Sequence, residues 1–372
     1  MKPTIVLASI LKPVDDVRLY QKIGRALATK YPDHGFHFIG FRPASEPDYK
    51  PPNVHFHPLY HFKRLSLHRL LAGPRFFRKL WRLKPSIVVV ATFELLLPVY
   101  FYSWFCKVKI MYDVQENYAR NVRYTQVFPM ILRWPLAQSI RLIERFCHHR
   151  IAQYLLAETC YAQEMPFMKR KATVVANKVQ RSVLSPVSRI KGRLVYSGTI
   201  SRDYGVFRAI AWATQLHQID PDITLNIIGF CPNHHDWEQL QTLLKMYPFI
   251  RLTGGQQMVP HSEIMMALQQ AQFAVLPYDI NQSVAGRIPT KFYECAALQT
   301  PMLAQANPAW QRFINDYPAG ALIDFDDIAK VAQVWENVQQ YTYYKKLPTP
   351  EDIFWESEAK QLLKAWEKII GG

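Results

Sequence analysis

A lysine and a glutamate three residues apart, Lys291 and Glu294, follow a proline that can occupy a first helical turn, Pro289. At this spacing the two side chains lie on one helical face near its N-terminus. A lysine there can contact a phosphate, and a carboxylate one turn further can accept hydrogen bonds from two ribose hydroxyls. On spacing alone, an ordinary surface ion pair is the commoner explanation.

A second candidate is a glycine turn before a predicted helix. The segment Tyr196–Gly205 (YSGTISRDYG) follows an apolar run and carries Gly198 and Thr199 at the turn. Backbone N–H groups and the helix dipole at such a place suit a phosphate. Arg202 can add a planar guanidinium to that anion site. Glycine turns are common in α/β folds, so this signal is weak by itself.

The N-terminal half has two polar segments that directly follow apolar strand-like runs. These are Ser9–Arg18 and Tyr112–Tyr118. Open α/β sheets bind ligands outside the carboxyl ends of their strands. The candidate residues there are Asp15, Arg18, Asp113, Gln115 and Glu116.

Short β-branched runs alternate with helix-like stretches along the chain. Ile87–Thr92 and Ile223–Gly229 are typical of buried strands, and Val17–Lys30 has a helical apolar stripe. Such alternation implies parallel sheets covered on both faces. It stops at the polar segment Lys178–Lys191 and then restarts. We therefore predict a first domain at residues 1–182, a linker at 183–191, a second domain at 192–349 and an amphipathic C-terminal helix at 350–372.

The composition excludes several classes of protein. Of the 372 residues, 49% are hydrophobic and 20% are charged, which argues against global disorder. The five cysteines are widely spread and form no C-x-x-C pair. A disulfide scaffold and a zinc ribbon are therefore disfavoured, and a reducing compartment is favoured.

The positive charge is concentrated in one half. Residues 1–190 hold 30 Lys and Arg against 11 Asp and Glu, whereas residues 191–372 hold 15 against 18. This asymmetry predicts two domains with different partners. The first faces something anionic: nucleic acid, acidic lipid or an acidic substrate.

One apolar segment, Ser86–Cys106, is long enough to span a bilayer. Glu94 and Pro98 interrupt it, and its β-branched first part differs from its Leu- and aromatic-rich second part. A buried strand followed by a buried helix is the favoured interpretation, and a membrane span is the alternative. The apolar segment Thr4–Leu11 has no small-residue cleavage site, so we do not expect a signal peptide.

Three segments, in their order along the chain, resemble a known enzyme family. Tyr112–Glu116 (YDVQE) is similar to D-x-H-E, and Tyr196–Gly205 is similar to G-x-x-x-x-x-K-G. Pro289–Ala297 with Thr300-Pro301 is similar to P-x-K-x-x-E-x-x-A…P. Together they resemble the retaining GT-B glycosyltransferases of the family 4 type. The resemblance covers nearly the whole chain and is strongest between residues 194 and 305.

The resemblance implies an α/β GT-B fold. Two Rossmann-like domains with parallel sheets would face each other across a cleft, and the C-terminal helix would cross back to the first domain. The first domain would bind the acceptor and the second the nucleotide sugar. The implied catalytic residues are Arg202, Lys291 and Gln115. The implied donor-binding residues are Gly198, Thr199, Glu294, Arg287 and Gly286, and the implied acceptor-side residues are Asp15, Arg18, Asp113 and Glu116.

The implied reaction is sugar transfer with retention from a nucleotide sugar, a UDP- or GDP-sugar, to a glycan or lipid-linked acceptor. Cations and helix N-termini would stabilise the leaving diphosphate. Neither a cofactor nor a metal is required. Such chemistry belongs to cell-surface polysaccharide or glycolipid synthesis.

Three departures from the family pattern leave alternatives open. Tyr204 replaces a lysine, Gly286 stands where a glutamate is usual, and Gln115 replaces a histidine. The first alternative is a nucleotide-sugar epimerase on the same fold. The second is a catalytically degenerate GT-B protein that only binds a partner.

A basic segment, Lys63–Lys84, interleaves cations with Leu, Phe and Trp, as does a helix lying on anionic lipid. An ordinary solvated helix face is the alternative, and a nucleic-acid surface is disfavoured because no binding module accompanies it. We expect a cytoplasmic protein that can be peripheral on the inner face of the cell membrane. The predicted membrane-facing residues are Arg75, Arg78, Lys79 and Arg82.

No metal site is predicted. His55 and His57 alternate along a strand and could converge with His61, but no Cys or carboxylate partners lie nearby. The acidic stretch Asp324–Asp327 is interpreted as a solvated turn before a helix.

Overall fold

The computed structural model describes residues 3–43, 50–62, 66–125, 128–181, 187–344 and 349–371. The described residues divide into two compact units. The first runs to Gln180 and resumes at Trp355, and the second spans Arg181–Phe354. Residues 183–186 of the predicted linker lie outside the described residues. The predicted α/β architecture with two parallel-sheet domains is confirmed.

The first domain contains a seven-stranded parallel sheet with the order β3-β2-β1-β4-β5-β6-β7. Its central strands are largely apolar and buried because helices cover both faces. The strands are β1 Thr4–Pro13, β2 Gly35–Phe41, β3 Val54–Tyr60, β4 Ile87–Val90, β5 Lys109–Val114, β6 Ile151–Leu156 and β7 Ala172–Val174.

The first helix begins where the Asp16 side chain accepts hydrogen bonds from the backbone of Arg18 and Leu19, at 3.0 and 2.9 Å. Its wide-turned part, Val17–Gly24, continues into α1, so the predicted helix at 17–30 is confirmed. The α-helices between β1 and β7 in the described ranges are α1 Arg25–Lys30, α2 Ala72–Leu83, α3 Leu96–Phe105, α4 Tyr118–Tyr124, α5 Met130–Cys147 and α6 Tyr161–Glu164.

The apolar segment Ser86–Cys106 forms strand β4 and helix α3, as favoured from the sequence. The last turn of α3 departs from that prediction, because Phe101, Trp104 and Phe105 are exposed rather than buried. Within the described ranges, no helix combines the length and the apolarity needed to cross a membrane.

The second domain contains a six-stranded parallel sheet with the order β10-β9-β8-β11-β12-β13. Its strands are β8 Arg193–Thr199, β9 Thr224–Phe230, β10 Ile250–Gly255, β11 Phe273–Leu276, β12 Met302–Gln305 and β13 Gly320–Ile323. Its helices are α7 Val206–Ile219, α8 His234–Met246, α9 His261–Gln270, α10 Thr290–Ala297, α11 Pro308–Asp316 and α12 Val331–Gln340.

The strand order reverses once in each sheet, between β1 and β4 in the first domain and between β8 and β11 in the second. At such a reversal the connections on either side leave in opposite directions, which opens a crevice at the carboxyl ends of the strands. Gly198 and Thr199 end strand β8 at this point. The sheet therefore brings the predicted glycine turn to the expected ligand-binding edge.

The C-terminal helix, α13 Trp355–Ile370, packs on the first domain. Its apolar stripe joins the core formed by β1, β2 and β4, with Leu362, Trp366 and Ile369 buried. The backbone N–H of Trp355 donates to the carbonyl of Val179, at 2.7 Å, where the helix begins. The predicted return of this helix to the first domain is confirmed.

Trp366 should be a main anchor of this helix. It is fully buried, so we expect Trp366→Ala to destabilise the first domain by about 3–5 kcal/mol. Urea unfolding followed by circular dichroism measures the change. Lys364→Ala, on the exposed face of the same helix, is the control. Equal unfolding midpoints for the two variants would show that α13 does not stabilise the domain.

Candidate active site

The glycine turn after β8 lies directly against a lysine of α10. Gly198 has a φ of +111°, and a Cβ built on it would lie 3.3 Å from Cε of Lys291. A Cβ on Gly229, in the neighbouring strand β9, would lie 1.7 Å from the Gly198 carbonyl oxygen. A side chain at Gly229 is therefore excluded, and a side chain at Gly198 would crowd Lys291. The structure thus joins two segments that are about 90 residues apart in the sequence.

Lys291 and Glu294 form an ion pair, but not at the surface. Nζ of Lys291 lies 2.5 Å from Oε2 of Glu294, and Glu294 is only 4% exposed. Nε2 of His261 lies 3.1 Å from the other carboxylate oxygen, Oε1. His261, the first residue of α9, and Lys291, in the first turn of α10, thus both contact the Glu294 carboxylate.

The partners of Glu294 keep it ionised despite its burial. Burial by itself would raise the pKa of the carboxyl group. The charge of Lys291 and the hydrogen bond with His261 outweigh this effect and lower the pKa to about 2. Glu294 is therefore a fixed negative charge and a hydrogen-bond acceptor at neutral pH.

His261 is the site residue that the sequence analysis missed. It carries no motif, and its side chain is 59% exposed. The available signal was its position: Pro260 precedes it at the start of α9, just as Pro289 precedes the start of α10. Only the fold shows that the two helices begin close together.

The remaining donor-side candidates make other contacts. The guanidinium of Arg202 is exposed, donates to Oε1 of Gln239 at 2.6 Å and lies over the ring of Phe207. Arg287 donates to Oγ of Ser283 at 3.2 Å. Thr199 is exposed at the end of β8, and Gly286 lies in the connection before α10. The structure thus brings together Gly198, Lys291 and Glu294, while a bound anion would have to draw Arg202 away from Gln239.

In the first domain, two acceptor-side candidates are buried against each other. Nη2 and Nε of Arg18 lie 2.7 and 3.0 Å from the two oxygens of Asp113, and the side chains are 4% and 0% exposed. Nη1 of Arg18 also donates to the carbonyl of Val175, at 2.8 Å. Arg18 and Asp113 are thus paired with each other and buried, and their acceptor-side role stays a prediction. They fix the carboxyl ends of β5 and β7.

Gln115 and Glu116 are held at that fixed strand end. Nε2 of Gln115 donates to Oδ2 of Asp113 at 2.9 Å, and Oε2 of Glu116 accepts from Nδ2 of Asn121 at 2.6 Å. Both side chains are half-buried, as is Asp15, whose pKa is raised by burial. These three half-buried residues follow the carboxyl ends of β1 and β5.

The basic helix α2 exposes three of its four predicted cations. Arg75, Arg78 and Arg82 are exposed, while Lys79 is half-buried and its pKa is lowered by burial and by the charge of Arg82. Leu80, like Phe76 one turn earlier, faces the core. Lys79 is therefore the least suited of the four to meet a membrane.

The strand histidines pair differently from the prediction. Nδ1 of His37 lies 2.9 Å from Nε2 of His57, and the ring of His55 stacks on His37. Burial lowers the pKa of both His37 and His57 to about 4. Among the described residues, no group of three His, Cys, Asp or Glu side chains is arranged to hold a metal ion.

Comparison with known proteins supports the fold. No protein-family model matches the chain, and no curated protein matches it by sequence. Sucrose-phosphate synthase from Thermosynechococcus elongatus is 14% identical, with a TM-score of 0.71 over 99% of both chains. HepE from Anabaena, in complex with UDP-glucose, is 11% identical, with a TM-score of 0.68 over 98% of this chain and 99% of that one.

The same architecture also occurs in a different enzyme class. A Listeria monocytogenes protein described as a UDP-N-acetylglucosamine 2-epimerase is 12% identical, with a TM-score of 0.59 over 100% of this chain and 97% of that one. At such identities the similarity concerns the fold. The chain therefore has the GT-B fold that the sequence resemblance implied.

The Arg18–Asp113 pair generates a stability prediction. Removing one charge of a buried pair leaves the other uncompensated, which typically costs 3–5 kcal/mol. We expect Asp113→Asn to destabilise the first domain by about this amount, as measured by urea unfolding. Glu116→Gln, three positions away and half-buried, is the control and should change stability by less than about 1 kcal/mol. Similar small effects from both would contradict the structural role assigned to Asp113.

Proposed function

We propose that this protein is a glycosyltransferase that moves a sugar from a UDP- or GDP-sugar to a glycan or lipid-linked acceptor. The supporting observation is the carboxylate of Glu294, held ionised by Lys291 and His261 beside the Gly198 turn. This cluster lies at the edge of the second sheet where strand order reverses. The GT-B fold shared with HepE, a structure that contains UDP-glucose, supports the same assignment.

Each residue of the cluster has a role in the proposed reaction. Lys291 contacts the diphosphate and stabilises the charge that builds on it as the sugar leaves. Glu294 accepts hydrogen bonds from the ribose hydroxyls, and His261 keeps that carboxylate oriented. Arg202 lies in the exposed connection between β8 and α7. Its guanidinium contacts the diphosphate once it has released Gln239.

The stereochemical outcome we propose is retention. The oxygen of the leaving diphosphate takes the acceptor proton on the same face of the sugar, so no protein nucleophile is used. Gln115 hydrogen-bonds a sugar hydroxyl, and Asp15 and Glu116 orient the acceptor. Proton NMR of the product's anomeric signal, compared with that of the donor, tests this proposal. An inverted anomeric configuration would refute retention without refuting sugar transfer.

The donor site is tested by binding. Removing a charged hydrogen-bond partner costs on the order of 1.5–3 kcal/mol. We therefore expect Glu294→Ala to weaken nucleoside-diphosphate binding roughly 10- to 150-fold. Lys291→Ala should reduce turnover more than it reduces ground-state binding, because charge accumulates in the transition state. The measurements are calorimetric titration with UDP, GDP and ADP, and turnover with the matching sugar donors.

Glu263→Ala removes an exposed carboxylate of α9 and is the matched control. EDTA should change neither binding nor turnover. Wild-type affinity retained in both site variants would show that the donor binds elsewhere. If wild type binds none of the three nucleotides, the degenerate partner-binding alternative is favoured.

An epimerase is the second candidate, because a protein described as a UDP-N-acetylglucosamine 2-epimerase shares the fold. The two reactions give different products from one donor. Incubation with UDP-N-acetylglucosamine and no acceptor should release UDP slowly if the protein is a transferase. Formation of the 2-epimer with UDP still attached would establish the epimerase instead.

We place the reaction in cell-surface polysaccharide or glycolipid synthesis, with the protein peripheral on an anionic membrane surface. The support is the exposed stripe of Arg75, Arg78 and Arg82 on α2. Charges near such a surface contribute about 1 kcal/mol each, and the attraction falls off within a Debye length of about 8 Å at 0.15 M salt.

The stripe predicts salt-sensitive vesicle binding. Replacing Arg75, Arg78 and Arg82 by Gln should weaken binding to anionic vesicles on the order of 100-fold. Lys79→Gln should have a smaller effect than any of the three, since its side chain is half-buried. A flotation assay at several salt concentrations measures both. Equal binding to neutral vesicles would exclude an electrostatic contribution from α2.

A further inference from the structure

Exposed aromatic side chains form a band on the first domain. On α3, Trp104 is 54% exposed and Phe105 is 67% exposed, and Phe101 is exposed one turn earlier. Trp81 at the end of α2 and Phe146 on α5 are also exposed. We call these five residues the aromatic band. Soluble domains rarely leave so many large rings in water unless they have a binding role.

Ring contacts join members of the band on three helices. The rings of Trp81 and Phe105 lie 6.0 Å apart, and those of Phe101 and Trp104 lie 5.3 Å apart. Tyr100 links the remaining member, with ring separations of 5.6 Å to Trp104 and 4.9 Å to Phe146. The rings therefore form two contacting groups, which meet at the adjacent residues Trp104 and Phe105 beside one cavity.

A cavity of about 490 Å³ adjoins the band. Trp104 and Phe105 line one side, and the residues at the amino ends of β5 and β6 line the other. This is the end of the sheet opposite Asp113, which lies near the carboxyl end of β5. The cavity, which is open to solvent, is therefore separate from the candidate acceptor edge.

The cavity is strongly cationic. Lys107, Arg150, Lys109 and Lys171 line it, and none of the described side chains around it is a carboxylate. Nζ of Lys109 donates to the carbonyl of Ile369 at 2.5 Å, which fixes that ammonium group in place. Lys107 and Arg150 are exposed and have no ion-pair partner in the described part of the chain. We call this the basic cavity.

We propose that the basic cavity binds the phosphate of an anionic phospholipid while the aromatic band enters the boundary between headgroups and acyl chains. The inference rests on the proposed function, since it specifies how that enzyme contacts its membrane. Lys107 and Arg150 supply the charge for the phosphate, and Arg150 can do so with two parallel N–H donors. Trp and Phe rings are the side chains that favour the membrane interface.

The cations and the exposed apolar side chains of this face favour a lipid over a second copy of the protein or a nucleic acid. A symmetric contact with a second copy would place the unpaired cations of both copies together, which is repulsive. Single-stranded nucleic acid also combines phosphates with stacking rings. However, the same face of α5 exposes aliphatic Leu142 one turn before Phe146, and an aliphatic side chain gains from acyl chains rather than from bases.

The basic cavity predicts which cations vesicle binding depends on. Vesicles of phosphatidylcholine with one third phosphatidylglycerol are compared with phosphatidylcholine alone. Lys107→Gln with Arg150→Gln should weaken binding to the anionic vesicles about 30-fold. Lys245→Gln with Arg251→Gln, an equal charge change at exposed positions of the second domain, should leave binding unchanged. Indistinguishable effects of the two double variants would overturn the basic cavity as a lipid site.

Insertion is measured separately from charge. Lipids brominated on the acyl chain should quench tryptophan fluorescence on binding, and Trp104→Phe should remove a large part of the quenched signal. Trp104→Ser with Phe105→Ser should abolish the binding that persists at high salt. No quenching in wild type would overturn insertion of the band. Displacement of bound vesicles by millimolar inorganic phosphate, or by single-stranded RNA in preference to lipid, would overturn lipid as the occupant.

Measuring UDP release from the sugar donor in solution without vesicles tells failure of the lipid site apart from failure of the proposed glycosyltransferase. The basic-cavity variants should release UDP at the wild-type rate, because no residue of the donor site is changed. Loss of vesicle binding with normal UDP release supports the basic cavity. Normal vesicle binding with release of neither UDP nor GDP from their sugar donors in wild type would contradict the proposed enzyme and leave the lipid site standing.

Discussion

A buried negative charge determines the local architecture of the second domain. Glu294 is almost fully buried, and an isolated carboxylate there would be too costly to remain ionised. Lys291 and His261 remove most of that cost, so the start of α9 and the first turn of α10 must meet at one point. The Gly198 turn completes this arrangement because only a residue without a Cβ leaves Lys291 uncrowded.

The first domain also contains a buried carboxylate, Asp113, but compensates its charge in a different way. Asp113 is saturated by a guanidinium fork from Arg18, and both charges are enclosed. Lys291 and His261 restrain Glu294 less than Arg18 restrains Asp113, because a lysine side chain is flexible and His261 is largely exposed. A closed pair suits a structural anchor, whereas a pair that can rearrange suits a ligand site. This contrast supports assigning the nucleotide to the second domain and a positioning role to Arg18 and Asp113.

A feature could be predicted from the sequence when the residues that cause it lie close together in the chain. Strand–helix alternation is a local pattern, and it predicted the two parallel sheets. The apolar stripe of α13 is also local, and it predicted that this helix packs on a domain. Lys291 and Glu294 are one turn apart, so their pairing was also predictable. His261 and the Arg18–Asp113 pair depend on contacts between distant segments, about 30 and 95 residues apart in sequence, which no local pattern encodes. Spacing also could not show that Arg202 rests on Gln239.

The positive charges of the first half differ in burial, and this gives them different consequences. Arg18 is buried and neutralised at the carboxyl edge of the sheet, so it adds nothing to the field outside the protein. Other cations are exposed, and those around the basic cavity lie beside rings that gain by leaving water. Because long-range attraction and apolar insertion act together only where both occur on one face, the basic cavity with its adjoining rings is the part of this charge that combines the two effects.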